Sequence, residues 1–389
     1  MTIEANPSDP LTRLGWDEDW DRRWAVFHAG FRTGSTASSR VFSPAGTPGA
    51  AIPAKNTGEN TEPHLLPARV VRVHRGACDV QTPLGPQRVE VPAGTLVPEP
   101  TTGDWVGLSL DDPDGARPVG VLPRRTVLAR ASVTGRSAEH VLAANVDTVV
   151  VAIGAESRTT NGRVERFLAL AWNSGAHPVV ALTKSDLVPA HDLDRIADRV
   201  RTDAVGVEVV PVRQDDPATV AELRNHLRGT VVLLGSSGAG KSTLANLLLG
   251  EDRFAVGAVR SVDGKGRHTT VTRELQPVPG AGEPLVLVDT PGLRSLGVSD
   301  LGDALDRTFA DVEEIAVDCR FSDCSHTSEP GCAVLAAIDA GVFDRHRLEN
   351  LRKLEREQAW FASRTDARLA ADRRREWKKI AKANRDRYT

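Results

Sequence analysis

The chain has 389 residues, 40% of them hydrophobic and 26% charged, with a formal net charge of −3. That length exceeds what one hydrophobic core fills and predicts two or three domains. The charge balance excludes a uniformly basic nucleic-acid binder, though not a local basic patch. No apolar run is long enough to span a bilayer, and the start, MTIEANPSDP, lacks the basic and apolar regions of a secretory signal, so the reading is cytoplasmic with no membrane.

Residues 11–31 read as a helix. Trp16, Trp20 and Trp24 recur every four residues, and Phe27 and Phe31 prolong the stripe, which predicts an aromatic face packed on a domain. Residues 33–63, rich in Gly, Ser, Thr, Pro, Ala and Asn, read as a linker. Five short β-type runs follow at Ala68–Val73, Ala77–Gln81, Arg88–Val91, Asp104–Leu110 and Pro118–Leu122, punctuated by Gly and Pro. They predict a small five-stranded barrel of the OB type. Cys78 within them reads as a small buried apolar residue.

From Val146 strand and helix alternate. Strands are predicted at Thr148–Ile153, Pro178–Leu182, Val207–Val212, Val231–Leu234 and Leu285–Val288. A helix covers Val164–Trp172 with Gly175 as its stop. Another begins at Asp216-Pro217, a cap followed by a first-turn proline, and ends at Gly229. The pattern predicts a parallel sheet with helices on both faces.

The phosphate-binding signature is Gly235-Ser236-Ser237-Gly238-Ala239-Gly240-Lys241-Ser242-Thr243, between the Val231–Leu234 strand and a helical run, Leu244–Leu249. Its glycines let consecutive N–H groups face phosphate oxygens, and the helix adds its positive dipole end. Lys241 would reach the β- and γ-phosphates, and Ser242 would place its hydroxyl on Mg²⁺. Asp289 ends a buried strand 48 residues after Lys241, opening Asp289-Thr290-Pro291-Gly292. A carboxylate there can hold Mg²⁺, and Gly292 can present its N–H to a γ-phosphate. Thr183-Lys184-Ser185-Asp186 also follows a strand. Asp186 can accept two N–H bonds from guanine while Lys184 lays its stem over the base. The tetrapeptide resembles the guanine motif of GTPases with Thr183 where Asn is usual. Here it precedes the phosphate motifs, so the sheet is circularly permuted. Between those motifs lies Gly264-Lys265-Gly266-Arg267-His268-Thr269-Thr270, a loop in which Thr270, ahead of Thr269, could complete the Mg²⁺ shell. Leu293 stands where many GTPases carry the glutamine that orients water, which makes His268 the local candidate for that task.

Three of the four cysteines cluster with a histidine as Cys319-x4-Cys324-x-His326-x5-Cys332. Three thiolates and an imidazole make a closed, structural zinc site, and the clustering fits a reducing compartment. Residues 344–389 read as one or two helices. From Arg364 onward there are ten Lys/Arg and four Asp/Glu, a balance of +6 suited to a phosphate backbone.

The barrel, the permuted order of TKSD, GSSGAGKST and DTPG, the GRHTT loop and the Cys-His element together resemble the ribosome small-subunit-dependent GTPase A family. The likeness covers roughly residues 66–340. The resemblance implies an assembly factor for the small ribosomal subunit that contacts 16S rRNA through its barrel and zinc domain. It also implies a subunit-stimulated GTP hydrolysis that drives release, His268 as the catalytic group, and a monomer. The expected organisation is an N-terminal helix and linker (1–64), an OB barrel (65–130), a circularly permuted phosphate-loop GTPase domain of α/β type (131–301) and a C-terminal helical zinc-binding domain with a basic tail (302–389). Two departures stand out. Val212-Arg213-Gln214-Asp215 occupies the position of the usual small base-contact loop, and residues 1–64 match nothing in the family core. The rivals are a permuted GTPase acting on the large subunit or another RNA, an ATP-using phosphate-loop enzyme, and an RNA-binding protein whose nucleotide site only gates affinity.

Overall fold

A computed structural model describes residues 9–32, 64–113, 115–130, 140–156, 162–254, 273–280, 282–289, 301 and 303–365. The expected linker at 33–63, the loop carrying His268 and Thr270, Gly292 and the basic tail beyond 365 lie outside the described residues.

A 3-10 turn (Thr12–Leu14) leads into α1 (Glu18–Arg32). Five antiparallel strands follow: β1 (Leu65–His74), β2 (Ala77–Thr82), β3 (Gly85–Glu90), β4 (Trp105–Ser109) and β5 (Arg117–Val121). They pair in the order β3-β2-β1-β4-β5. Their inward residues, among them Ala68, Val70, Val80, Val106 and Leu108, form a core of their own. Cys78 belongs to that core, and burial pushes its thiol up to about 11, as expected of an inert apolar cysteine. A two-stranded sheet, β6 (Val127–Arg130) with β7 (His140–Ala144), leads on to the next domain and was not foreseen from the sequence.

The nucleotide domain contains β8 (Thr148–Gly154), α2 (Arg163–Ser174), β9 (His177–Thr183), α3 (Ala190–Asp203), β10 (Val209–Pro211), α4 (Pro217–Asn225), β11 (Gly229–Leu234), α5 (Lys241–Leu249), β12 (Glu274–Val278) and β13 (Leu285–Asp289). Beyond it come α6 (Asp303–Thr308), α7 (Ala310–Ala316), α8 (Ala333–Asp339) and α9 (Arg345–Thr365). The sheet path is β10-β9-β8-β11-β13-β12-β1-β2-β3, so the N-terminal strands continue the nucleotide sheet. Strands β8 and β11 are nearly unbroken apolar runs because helices cover both their faces. Alternate residues serve opposite cores: Val149, Val151, Val232, Leu234, Val286 and Val288 face one, while Val150, Val231, Leu233, Leu285 and Leu287 face the other.

Two sequence expectations need correction. The sheet is mixed, because β12 runs antiparallel to β13. Its sequence, ELQPV, carries Pro277 and no apolar run, which hides it. Pro277 is tolerated because, among the described residues, β12 pairs with β1 at Glu274↔Arg72 alone, which leaves the proline's outer edge unpaired. Gly229 does not end α4 but opens β11, at a φ of 53°. A Cβ there would sit 2.2 Å from Asp147 Oδ2, the carboxylate oxygen that accepts the Thr230 N–H at 2.7 Å. The start of α4 is as read: the Asp216 carboxylate accepts the Ala218 N–H at 3.0 Å, with Pro217 in the first turn.

Three contacts tie the outer pieces to the nucleotide sheet. Arg69 on β1 is 1% exposed, donates to Thr230 Oγ1 at 3.0 Å and lies 4.6 Å over the Trp105 ring; burial pushes its pKa down to about 10, which leaves it charged at neutral pH. Trp16, just before α1, and Trp20, Trp24 and Phe27 on it lie against Trp105 of β4 and Leu122. Trp16 meets Trp105 edge-on at 4.7 Å. Phe27 fits only because Gly107 and Gly120 have no side chains: a Cβ would lie 2.4 Å and 2.9 Å from its ring. Helix α9 buries Leu348, Leu351 and Leu354 in the main core and adds a buried ionic network centred on Arg347, which is 0% exposed. Arg347 holds Asp311 with two bonds of 2.6 and 2.7 Å, donates to the carbonyls of Thr308 and Asp203, and stacks 4.8 Å over Phe309. Among the described residues no helix is long and apolar enough to cross a membrane.

Candidate nucleotide site and metal centre

Strands β8, β9 and β11 end side by side, so their C-terminal loops share one edge of the sheet. That edge is where an open α/β sheet binds ligands. The loop after β11 curls through Gly235 (φ 148°), Gly238 (φ 80°) and Gly240 (φ 78°) before α5 begins at Lys241. Gly235 is required for close approach: a Cβ would lie 2.5 Å from the Ala152 carbonyl oxygen on β8. Ser237 and Gly238 are exposed at the tip, Ala239 is buried, and Ser242 is exposed in the first turn of α5. The Lys241 ammonium donates to the carbonyls of Gly235 at 2.8 Å and Ser236 at 2.6 Å, which places it across the mouth of the loop.

Thr183-Lys184-Ser185-Asp186 leaves β9 directly beside that loop. The Thr183 hydroxyl donates to the Ala239 carbonyl at 2.7 Å, so the two motifs are in contact. Lys184 has a left-handed φ of 58°, and its ammonium pairs with the Glu156 carboxylate just past β8. Ser185 is buried, its hydroxyl donating to the Leu182 carbonyl at 2.7 Å. Asp186 Oδ1 faces the Gln214 N–H at 3.4 Å, which brings the Arg213–Asp215 turn to the same side. Arg213 is turned onto Asp215 by two bonds of 3.1 and 2.9 Å. Asp289 ends β13 opposite Glu274, which puts its backbone at the same sheet edge. His268, Thr270 and Gly292 lie outside the described residues, as does the side chain of Asp289. Glu156 was missed in the sequence. Its only signal is a carboxylate two residues beyond a strand-ending glycine, which many turns share.

The second site lies between α7 and α8. Ligand atoms of Cys319, Cys324, His326 and Cys332 all fall within 4.8 Å of one another. The Cys319 and Cys332 sulfurs are 3.9 Å apart, and His326 Nδ1 lies 3.6 and 3.4 Å from them. A tetrahedron with metal–sulfur bonds of about 2.3 Å and metal–nitrogen bonds of about 2.0 Å has edges close to those separations, so the donor set fits a tetrahedral metal ion. Burial raises the Cys319 thiol pKa, but backbone N–H groups of Val334 and Ala333 at the start of α8 more than offset it, and the net shift is downward. Cys332 caps α8, accepting the Leu335 N–H at 3.4 Å. His326 takes a left-handed φ of 56°, and Glu329 closes the turn by accepting the N–H groups of Ser325, Thr327 and Ser328 at 3.0, 2.7 and 2.9 Å. Arg352 of α9 donates to the Ser325 and His326 carbonyls at 2.9 and 2.7 Å, fastening the turn to the long helix. The Glu329-Pro330-Gly331 turn before Cys332 is legible in the sequence, whereas Arg352 was not singled out there. Glu329 is a local turn residue, and Arg352 is one arginine among many on a charged helix.

Fold and site together define a phosphate-loop nucleotide-binding protein in which the strand leading into Thr183-Lys184-Ser185-Asp186, β9, precedes the phosphate-loop strand, β11, in sequence yet lies beyond β8 in the sheet. The RsgA GTPase family model matches residues 121–299. A relative from Streptomyces coelicolor, "Small ribosomal subunit biogenesis GTPase RsgA", is 50% identical over 324 residues, 81% of this chain and 86% of that protein. One of the same name from Opitutus terrae is 42% identical over 342 residues, 83% of this chain and 92% of that protein. Among solved structures, YjeQ from Thermotoga maritima superposes with a TM-score of 0.54 at 24% identity, covering 75% of this chain and 97% of that one. YloQ, described as a circularly permuted GTPase, gives 0.53 at 20% identity, covering 78% and 97%. Those two likenesses speak for the fold. The chain belongs to the RsgA GTPase family, and it is a GTP hydrolase that uses its nucleotide with Mg²⁺.

Proposed function

We propose that this chain acts in late maturation of the small (30S) ribosomal subunit, binding the subunit and its 16S rRNA in the GTP state and leaving on hydrolysis. The observation that carries the reading is the pair of relatives named for small-subunit biogenesis, at 50% and 42% identity over more than four fifths of the chain. GTP is held by Thr183, Lys184, Ser185, Asp186, the Gly235–Thr243 loop, Asp289 and Gly292. Ser242, Thr270 and Asp289 hold Mg²⁺, which when bound neutralises charge on the β- and γ-phosphates. His268 positions the attacking water, since Leu293 has no group that can. The Cys319–Cys324–His326–Cys332 cluster holds one structural zinc, whose binding supplies folding energy to a short segment.

The division into 1–64, 65–130, 131–301 and 302–389 accompanies this reading. An OB barrel at 65–130 is supported by the β3-β2-β1-β4-β5 order and by the approach of β3 to β5, which brings the two ends of the sheet together. We read the protein as a cytoplasmic monomer. The test is GTP hydrolysis by the protein alone, with small subunits and with large subunits. Stimulation by small subunits only, abolished in His268→Ala while nucleotide binding survives, is the expected result. Stimulation by large subunits, or by neither, sinks the assignment of partner.

A further inference from the structure

The two nucleotide motifs meet through a single hydroxyl group. Thr183 is 4% exposed, and its Oγ1 lies 2.7 Å from the Ala239 carbonyl oxygen and 3.2 Å from that of Ile153. Both neighbours are acceptors only, and a threonine hydroxyl carries one proton. The shorter contact takes it, so the proton is committed to the phosphate loop. Packing agrees: a Cβ on Gly240 would lie 3.2 Å from Thr183 Oγ1 and 3.3 Å from its Cβ, which places this side chain tightly beneath the loop. An asparagine amide at the same position would carry two N–H donors, one for the loop and one to spare. Guanine presents an acceptor, N7, on its imidazole edge.

Resting on the reading of residues 183–186 as the base site, we propose that Thr183 ties the phosphate loop to the guanine strand and leaves N7 of the base unread from this position. Base selection then falls to Asp186, which accepts the N–H groups on the opposite edge of guanine. Thr183 is in these terms a positioning residue: it sets the height of the Ala239–Gly240 peptide against β9. The site accordingly accepts a guanine nucleotide whose N7 has been replaced by carbon.

The experiment titrates the full-length protein with GTP, GDP, 7-deaza-GTP and ATP in Mg²⁺, in wild type, Thr183→Val, Thr183→Ser and Asp186→Asn. Wild type is expected to bind 7-deaza-GTP within about twofold of GTP. Thr183→Val, nearly isosteric but without the hydroxyl, is expected to weaken GTP, GDP and 7-deaza-GTP by one common factor of about three- to tenfold. Thr183→Ser, which restores the donor, recovers the affinity and so separates this effect from misfolding. A penalty on 7-deaza-GTP in wild type that persists unchanged in Thr183→Val shows N7 read by another group and overturns the claim that the site accepts the analogue. A penalty that disappears in Thr183→Val shows the hydroxyl reading N7 and overturns the proposal, as does Thr183→Val binding all three nucleotides like wild type. Failure of the underlying reading looks different: ATP binds as tightly as GTP, and Asp186→Asn changes neither.

Discussion

Helices α1 and α9 are both added to the outside of the sheet and both bury apolar side chains, Leu348, Leu351 and Leu354 in the case of α9, but α9 adds fully buried charges to its seat. Helix α1 has an aromatic centre, Trp16, Trp20, Trp24 and Phe27 on Trp105, with ions at its rim, where Arg125 bonds Asp17 Oδ2 at 2.7 Å and lies 2.9 Å from Asp19. Helix α9 places its ions at the centre. Arg347, Glu165 and Asp203 are each 0% exposed, with His346 Nε2 3.0 Å from Asp203 Oδ1 and Asn350 donating to Glu165 Oε1 at 2.8 Å. An apolar seat gains free energy from every methylene it buries and tolerates small shifts. An ionic seat must first offset the desolvation of its charges, and it holds only while each partner is present. The second seat is incomplete on its own terms, because Glu165 Oε2 and Asp203 Oδ2 are buried with no hydrogen-bond partner.

The contrast can be broken most severely at Arg347. Arg347→Ala removes both bonds to the Asp311 carboxylate and the positive charge 4.0 Å from Glu165, and is expected to cost about 3–5 kcal/mol in urea unfolding. Replacing the pair together, Arg347→Met with Asp311→Leu, should recover most of that loss; a double variant no better than the single one would show that shape rather than charge holds α9. Trp20→Ala empties the middle of the aromatic seat, with an expected loss of about 3–4 kcal/mol and no dependence on partner substitutions. Gly107→Ala drives a methyl group into Phe27 and should cost about 1–3 kcal/mol, relieved when Phe27 is trimmed to Leu. Both are checked by denaturant midpoints monitored by tryptophan fluorescence.

The smallest effect is one of pH, and its sign differs between the seats. Burial is the largest influence on Asp17 and raises its pKa, but the hydrogen bond from Arg125 leads the effects that more than offset it, so Asp17 ends below its ordinary value. Asp19 is lowered chiefly by Arg23. Both therefore stabilise the fold above about pH 3.9 and lose that contribution as pH falls through their folded values. Glu165 is raised, first by burial and then by the neighbouring Asp203. Above about pH 4.3 the folded state keeps a proton there that the unfolded state has lost, so stability falls as pH climbs through the raised value. Protection of α9 amides, taken relative to their intrinsic exchange at each pH, should fall across that window in wild type and stay level in Glu165→Gln. Equal slopes in the two proteins would remove Glu165 as the cause.

What the sequence disclosed follows the same division. The tryptophan stripe, the phosphate loop and the Cys-His spacing are local patterns, each set within about a dozen residues, and each was found where expected. The strands β8, β9 and β11 were readable because burial on two faces forces unbroken apolar runs. The Arg347 network was not, because its charged members come from α2, α3, α7 and α9 and meet only in the folded chain. Strand β12 stayed hidden behind Pro277, and the Glu156–Lys184 pair joins loops whose nearness depends on strand order. Thr183 could be read as a departure from asparagine, but the destination of its proton required the Ala239 carbonyl to be in view.

The register pair between Arg72 of β1 and Glu274 of β12 joins side chains 202 residues apart in the chain. During synthesis strands β1 to β5 emerge well before Glu274 exists. Vectorial folding thus lets their hairpins form first, since short loops close at lower entropic cost. The flank of β1 beside Arg72 waits, unpaired, for a strand made much later. One charged residue there, rather than an apolar edge, keeps that waiting strand from pairing with a neighbouring chain.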